Sequence, residues 1–429
     1  MITSPAWSGK RYAVLGLARS GAATARALVA AGAEVVAWDA NEGARAAVEG
    51  VTFADPVSVD LTGFAGVVVS PGVPLNRHPI AAKASAAGVP VVGDIELFAQ
   101  ARPTLPPHRV VGITGTNGKS TTTALIGYIC ETAGLPTRLG GNIGLPVLGQ
   151  EPLPAGGVYV LELSSYQIDL TQSLDCDAAV LLNITPDHLD RYDGFEGYAA
   201  SKARLFAMQS AGYAAIIGIG DDASAGIAKQ VARSGRAEDL TKIAPGVCMD
   251  QSRWPALQGP HNAQNALAAI AACEALGIDN AAIDAGLASF AGLPHRMELI
   301  ATHAGVGFVN DSKATNPEST APALAAFDRI HWIVGGQAKS DDLDACRPGF
   351  GHVVRAYTIG EAGDPFATLL EGEMPVTRSG TLDAAVRAAA AAAMPGETVL
   401  LSPACASFDQ FRDYEDRGAA FRRAVEALA

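Results

Sequence analysis

Short apolar runs recur along the chain, each followed by a glycine or polar turn and then by a stretch with helical spacing. Tyr12–Leu15, Glu34–Trp38 and Gly66–Val69 read as strands. The turn Gly16–Gly21 leads into a helix expected from Ala22 to about Ala31, and the third strand runs into Ser70-Pro71-Gly72. Strands alternating with helices predict parallel sheets of the α/β class. Arg102–Pro107 carries three prolines and reads as a linker. A second block opens at about Arg109. It continues through strands at Val158–Leu163 and Ala178–Leu182 and a helix near Asn262–Leu276, and it closes on Leu293-Pro294-His295-Arg296. A third block has strands at Val306–Val309, Ile330–Val334, Val354–Thr358 and Thr398–Leu401. The alanine-rich stretch Ala384–Ala393, interrupted by Arg387, reads as a helix.

The chain has 429 residues, 49% hydrophobic and 17% charged, enough for two to four domains at roughly 100–200 residues each. A formal charge of −13 argues against a nucleic-acid partner and requires that any anionic ligand find a local basic pocket. Six scattered cysteines with no CxxC pair argue against a disulfide framework or a metal knuckle and favour a reducing cytosol. No apolar run reaches membrane-spanning length, so membrane insertion is not expected.

The strongest chemical signal is Gly112-Ile113-Thr114-Gly115-Thr116-Asn117-Gly118-Lys119-Ser120-Thr121, between the apolar run Val110-Val111 and a helical pattern at Thr123–Ile129. In that setting glycines let backbone N–H groups face phosphate oxygens, and the helix start adds positive potential. Lys119 can reach the terminal phosphates and Ser120 can hold Mg²⁺. The match is imperfect: Ile113 stands where the general pattern has its first glycine.

In the first block, Gly16, Gly21 and then Asp39 suggest a dinucleotide, but Ala18 replaces the middle glycine, so another nucleotide fits equally well. Glu162 ends a strand, where an acid beside a phosphate loop can ligate Mg²⁺, or else ends in a salt bridge. Asn183–Tyr192 gathers Asp187, His188 and Asp190 on one loop, with His188 a metal or carboxylate ligand or simply a surface histidine. Lys202 on its own reads as a solvated helical lysine. Asn310–Pro317, Gly335–Lys339 and Ser402–Phe411 are polar loops after strands and suggest a ligand-binding rim. Ser407 is a candidate cap for a following helix.

Taken in order, Thr114–Ser120, Glu162–Ser165, Asn183–Asp190, His261–Asn265 and Leu293–Arg296 resemble the Mur ligase family, over essentially the whole chain. Asn310–Asn316 and Ser402–Ser407 are typical of its D-glutamate-adding members, and the Asp-Asn-Pro-Arg signature of the diaminopimelate-adding ones is absent. The resemblance implies three domains: a Rossmann-like domain for the UDP moiety (1–101), a central P-loop-type ATPase domain (102–297) and a Rossmann-like C-terminal domain for the incoming amino acid (298–429). It implies a cytoplasmic ligase of peptidoglycan precursor synthesis, expected to be a monomer. Such an enzyme uses ATP to phosphorylate the alanyl carboxylate of UDP-N-acetylmuramoyl-L-alanine, and D-glutamate then attacks the acyl phosphate. Addition of L-glutamate or another amino acid, and a non-catalytic nucleotide-binding module, remain as alternatives.

By the same resemblance, Gly115, Thr116, Asn117, Gly118, Lys119, Ser120 and Thr121 would hold the ATP phosphates, with Asn265, Arg296 and Asp311 on the adenine nucleotide. Ser120 and Glu162 would bind one Mg²⁺. His188 would bind a second, together with Lys202 carbamylated by CO₂. Lys119, His188 and Lys202 would be catalytic. Gly16, Ser20, Asp39 and Ser70 would hold the UDP moiety, with Asn142 also on the substrate. Lys313, Thr315, Lys339, Ser407, Phe408 and Tyr414 would place the substrates and the D-glutamate carboxylates. Two positions depart from the family pattern: Ala18, and Tyr414 where a phenylalanine packs in a relative, so that its hydroxyl needs a partner.

Overall fold

The computed structural model describes residues 1–244, 250–254, 256–338 and 342–428. Lys339 and Cys248, both singled out in the sequence, lie outside the described residues. Two compact units are present, Met1–Pro245 with Gln264–Leu287, and Gly246–Ala263 with Ala288–Ala429.

The first unit contains two parallel sheets. In the first sheet, β1 (Arg11–Leu15), β2 (Glu34–Trp38), β3 (Thr52–Phe53), β4 (Gly66–Val69) and β5 (Val91–Val92) lie in the order β3-β2-β1-β4-β5. Helices α1 (Arg19–Ala30), α2 (Glu42–Ala46), α3 (Ile80–Ala86) and α4 (Asp94–Ala101) make the crossovers. The second sheet orders β6 (His108–Thr114), β7 (Thr137–Gly141), β8 (Gly157–Glu162), β9 (Ala178–Leu181), β10 (Ala214–Gly218) and β11 (Leu240–Ile243) as β11-β10-β9-β6-β8-β7. Its helices are α5 (Lys119–Thr132), α6 (Ser165–Asp169), α7 (Gly194–Ala207), α8 (Asp222–Val231), α9 (Pro260–Ala275, which opens in the second unit) and α10 (Asn280–Ser289). Every residue of β4, β8 and β9 is buried, as expected for strands covered on both faces, and this is why they read as unbroken apolar runs.

In the second unit, β12 (Glu298–His303), β13 (Val306–Asn310), β14 (Ile330–Gly335), β15 (Val353–Ile359), β16 (Val376–Gly380) and β17 (Thr398–Leu401) lie in the order β12-β13-β17-β14-β15-β16. Only the edge strand β12 is antiparallel. Helices α11 (Pro317–Leu324), α12 (Gly363–Leu370), α13 (Leu382–Ala392) and α14 (Tyr414–Glu426) complete it.

Three local expectations change. The helices after the two glycine turns start earlier, at Arg19 and Lys119, because a glycine turn feeds straight into a helical first turn before any apolar periodicity begins. Arg102–Pro107 is not a free connection. Arg102–Thr104 forms a 3-10 turn on the end of α4, and the Arg102 guanidinium donates to the Asp175 carbonyl and pairs with Asp177 at 3.4 Å. Ser407 caps no helix: α14 begins seven positions on, and Asp413 accepts from the Asp416 N–H at 2.8 Å as its cap.

The five cysteines among the described residues are buried thiols that form no disulfide. No helix among the described residues is long and apolar enough to cross a membrane.

Candidate active site

In the second sheet, β6 lies between β8 and β9, and the loops after these three strands share the carboxyl edge where open α/β sheets bind ligands. They carry the phosphate loop, Glu162 and Asn183–Asp190. Asn183 stitches two of them, its carbonyl accepting from Thr116 N–H and its side chain from Asn117 N–H, both at 2.9 Å. Thr116 Oγ1 lies 3.1 Å from Tyr198 Oη and accepts from Thr185 N–H at 3.0 Å.

Gly118 immediately precedes α5 with φ of 85°, a left-handed conformation open mainly to glycine. A Cβ there would overlap the side-chain oxygen of Asn265, which α9 brings up beneath the loop. Lys119 folds back on its own loop, donating to the carbonyls of Gly115 at 2.9 Å and Thr116 at 2.8 Å. Ser120 is buried, and Thr121 follows it in the first turn of α5.

Glu162 is 2% exposed. Its Oε1 accepts from Asn142 Nδ2 at 3.0 Å, while Oε2 is buried with no hydrogen-bond partner. An ionised oxygen left bare in the interior is costly, so the arrangement is suited to a cation. Asn142, expected from the sequence to touch the substrate, donates this bond to the acid and so orients it.

Lys202 is 1% exposed, which overturns its reading as a solvated residue. Its ammonium donates to the Gly115 carbonyl at 2.9 Å and lies 4.6 Å over the Tyr198 ring. Burial first, and the charge of Lys119 second, hold its pKa well below the ordinary lysine value, against opposing pulls from Asp187 and Asp169. His188 has φ of 53° and is about half exposed. Its ring lies 3.5 Å from the Asp187 carboxylate and 5.1 Å, centroid to centroid, from Tyr166.

At the carboxyl edge of the first sheet, Ser70 Oγ donates to the Gly16 carbonyl at 2.9 Å, and Asp39 Oδ2 accepts from Leu17 N–H at 2.7 Å. Gly16 has φ of 88°, and a Cβ would press against Ser70. Ala18 has φ of −64°, which any residue adopts, so the missing middle glycine costs the backbone nothing. Ser20 lies in the first turn of α1.

The second unit gathers its loops likewise at the carboxyl ends of β13, β14 and β17. Asp311 is buried. Its carboxylate accepts from Ser402 Oγ at 2.7 Å and Met297 N–H at 3.2 Å, and burial pushes its pKa up to about 7, against the pull of these bonds and of Arg296. Lys313 Nζ lies 3.8 Å over the Tyr414 ring, and the Tyr414 hydroxyl finds its partner in Glu415 at 3.0 Å. Thr315 is half-buried, directly before the α11 cap Asn316. Ser407 is buried, whereas Phe408 is 67% exposed.

Gln337 and Ala406 exchange backbone hydrogen bonds at 2.9 Å, which joins the loop after β14 to the one after β17. Sequence reading missed Arg417. It is buried and donates to the carbonyls of Ser312, Cys405 and Ala406 and to Ser312 Oγ at 2.8–3.2 Å, so it laces two of the three loops together. In the sequence it looks like one more charge on an amphipathic helix, and only its four-residue spacing from Asp413 marks it.

The chain is similar to known proteins over its whole length. The Mur ligase middle domain matches residues 113–273, and the Mur ligase glutamate ligase domain matches residues 295–405. The chain is 67% identical to the UDP-N-acetylmuramoylalanine–D-glutamate ligase of Novosphingobium aromaticivorans, over 100% of this chain and 97% of the relative. It is 65% identical to the enzyme of the same name from Sphingopyxis alaskensis, with both chains covered in full. Among solved structures, the UDP-N-acetylmuramate-alanine ligase of Thermotoga maritima aligns with a TM-score of 0.59 at 14% identity, over 98% of this chain and 100% of that one. MurF from Acinetobacter baumannii gives 0.59 at 18% identity, over 97% and 91%. At these identities the structural likeness is one of fold.

Proposed function

The chain belongs to the Mur ligase family, and on that premise we propose that it is an ATP-dependent ligase joining D-glutamate to UDP-N-acetylmuramoyl-L-alanine in the cytoplasmic stage of peptidoglycan synthesis. The substrates come from the relatives' shared name. The observation that carries the chemistry is the bare, buried oxygen of Glu162 on the strand next to the phosphate loop.

A carboxylate does not react with an amine until one of its oxygens becomes a good leaving group. In this reading the alanyl carboxylate attacks the γ-phosphorus of ATP and ADP departs. The D-glutamate amine then attacks the acyl carbon, phosphate leaves, and the amine loses its proton. The phosphate-loop N–H groups and Lys119 hold the charge that spreads over the transferring phosphoryl group. Lys119 must leave the Gly115 and Thr116 carbonyls to do so.

Among the described residues, no group of three His, Cys, Asp or Glu side chains could hold a metal ion alone. Mg²⁺ bound with a nucleotide needs only one or two carboxylates, the phosphates and water supplying the rest, so Glu162 with Ser120 fits it. Bound Mg²⁺ would neutralise developing charge on the phosphates. The depressed pKa of Lys202 supports its carbamylation: a neutral amine takes up CO₂, releases a proton and becomes an anion that, with His188, could hold a second ion.

We assign residues 1–101 to the UDP moiety through Gly16, Ser20, Asp39 and Ser70, residues 102–297 to ATP, and residues 298–429 to the amino acid. Lys313, Thr315, Ser407, Phe408 and Tyr414 face that last substrate, and Lys339 is assigned with them from the family pattern alone. Asn265, Arg296 and Asp311 take the adenine nucleotide.

Phosphate release from ATP with UDP-N-acetylmuramoyl-L-alanine tests the proposal, with D-glutamate compared against L-glutamate, L-lysine and diaminopimelate. Release that requires D-glutamate is expected. Release with another amino acid would overturn the substrate while keeping the ATP chemistry, and no release with any would leave a nucleotide-binding module.

A further inference from the structure

Arg191 connects the first sheet's substrate loop to the loop of His188. Its backbone N–H donates to the His188 carbonyl at 2.9 Å. Its guanidinium reaches the other sheet's loop, donating to the carbonyl of Val73 at 2.9 Å and more loosely, at 3.4 Å, to those of Pro71 and Gly72. The junction is reinforced from the other side, where Asn76 and Arg77 donate to the Asp190 carbonyl at 3.0 and 3.3 Å.

The guanidinium also lies 4.2 Å over the Tyr166 ring, the first member of a packed aromatic series. Tyr166 stacks on Tyr192 at 6.1 Å and lies 5.1 Å from His188, and Tyr192 meets Tyr198 at 5.5 Å. Tyr198 in turn faces the Lys202 ammonium and touches Thr116 of the phosphate loop. An unbroken line of contacts thus runs from Pro71–Val73, next to Ser70, to the residues that would carry out phosphoryl transfer.

We propose that Arg191 is a positioning residue that sets the substrate loop Ser70–Val73 in register with His188 and Lys202, so that holding the UDP-sugar also places its alanyl carboxylate for reaction. The planar fork matters because it spreads its N–H groups over several carbonyls while its flat face stacks on an aromatic ring; a lysine ammonium is a compact point charge with no such face. The proposal rests on the assignment of Ser70 and its neighbours to the UDP moiety.

Steady-state kinetics on the full chain test it, with Arg191→Ala, Arg191→Lys and Ser70→Ala beside wild type and thermal unfolding measured for each. For both arginine variants, KM for UDP-N-acetylmuramoyl-L-alanine is expected to rise about tenfold and kcat to fall about tenfold, with KM for ATP within about twofold. Arg191→Lys should recover thermal stability without recovering that KM, a split a merely structural role would not produce. It also carries the test if Arg191→Ala does not fold. If Ser70→Ala raises the UDP-sugar KM and the arginine variants do not, the positioning role is overturned. If none of the three changes it, the assignment of the substrate loop falls as well.

Discussion

The ammonium groups of Lys119 and Lys202 both donate to the carbonyl oxygen of Gly115, each at 2.9 Å. Two cations on one neutral acceptor repel, and the repulsion falls on Lys202, which burial already disfavours as a cation. The pair is a resting arrangement that an arriving triphosphate would dissolve by drawing Lys119 away. It also makes the Lys202 amine ready to lose its proton.

Lys202→Ala is therefore expected to lower turnover by about 100-fold or more, with acetate restoring part of it by standing in for the carbamate. Phosphate release measured with and without acetate checks this. Full activity in the unsupplemented variant would remove Lys202 from the mechanism.

Glu162→Gln should abolish activity while leaving the fold intact, since it replaces a buried oxygen that has no protein partner. Mg²⁺ with a nucleotide should raise the unfolding temperature of wild type and not of the variant. Asn142→Ala, which frees the other oxygen, should weaken Mg²⁺ affinity by roughly 10–100-fold, so that more Mg²⁺ is needed for half-maximal activity.

Gly118→Ala combines a disfavoured backbone conformation with an overlap against Asn265. A stability loss of about 1–3 kcal/mol is expected, and KM for ATP should rise because the loop must shift. Denaturant unfolding and ATP titration would read the two effects separately. An unchanged KM would mean that the loop absorbs the methyl group elsewhere.

Asp94, the first residue of α4, is buried, and burial pushes its pKa up to about 6. The first-turn N–H groups of Ile95 and of Asp94 itself offset only part of this. A carboxyl whose folded pKa lies above its unfolded value contributes stability while protonated. That contribution is present below pH 4 or so and is lost as pH rises through about 6. Asp94→Asn should accordingly stabilise the fold at pH 8, on the order of 3 kcal/mol, and hardly at all at pH 4. Equal effects at both values would show that the group titrates normally.

Much of the scaffold can be read locally. Gly66–Val69 and Thr398–Leu401, buried at every position, have the same bounds as pattern and as strand, because a parallel strand covered on both faces is apolar along nearly its whole length. Edge strands such as β7, with its two glycines, and β16, with its partly exposed face, carry no such run and are visible only in the sheets. The start of α14 shows the same limit: both Ser407 and Asp413 are capping residue types, and the choice between them depends on where the chain turns.

The sequence by itself determined the α/β class, the phosphate loop and the order of motifs that identifies the family, since these depend on residue types at close spacing. Tertiary structure alone decided that Lys202 is buried beside Lys119, that Asn142 holds one oxygen of Glu162 and leaves the other bare, and that Arg191 and Arg417 bind loops far apart in the chain. Burial and charge proximity are properties of what the other strands and helices bring near. They give an ordinary lysine, asparagine or arginine a role that its own neighbours in sequence do not specify.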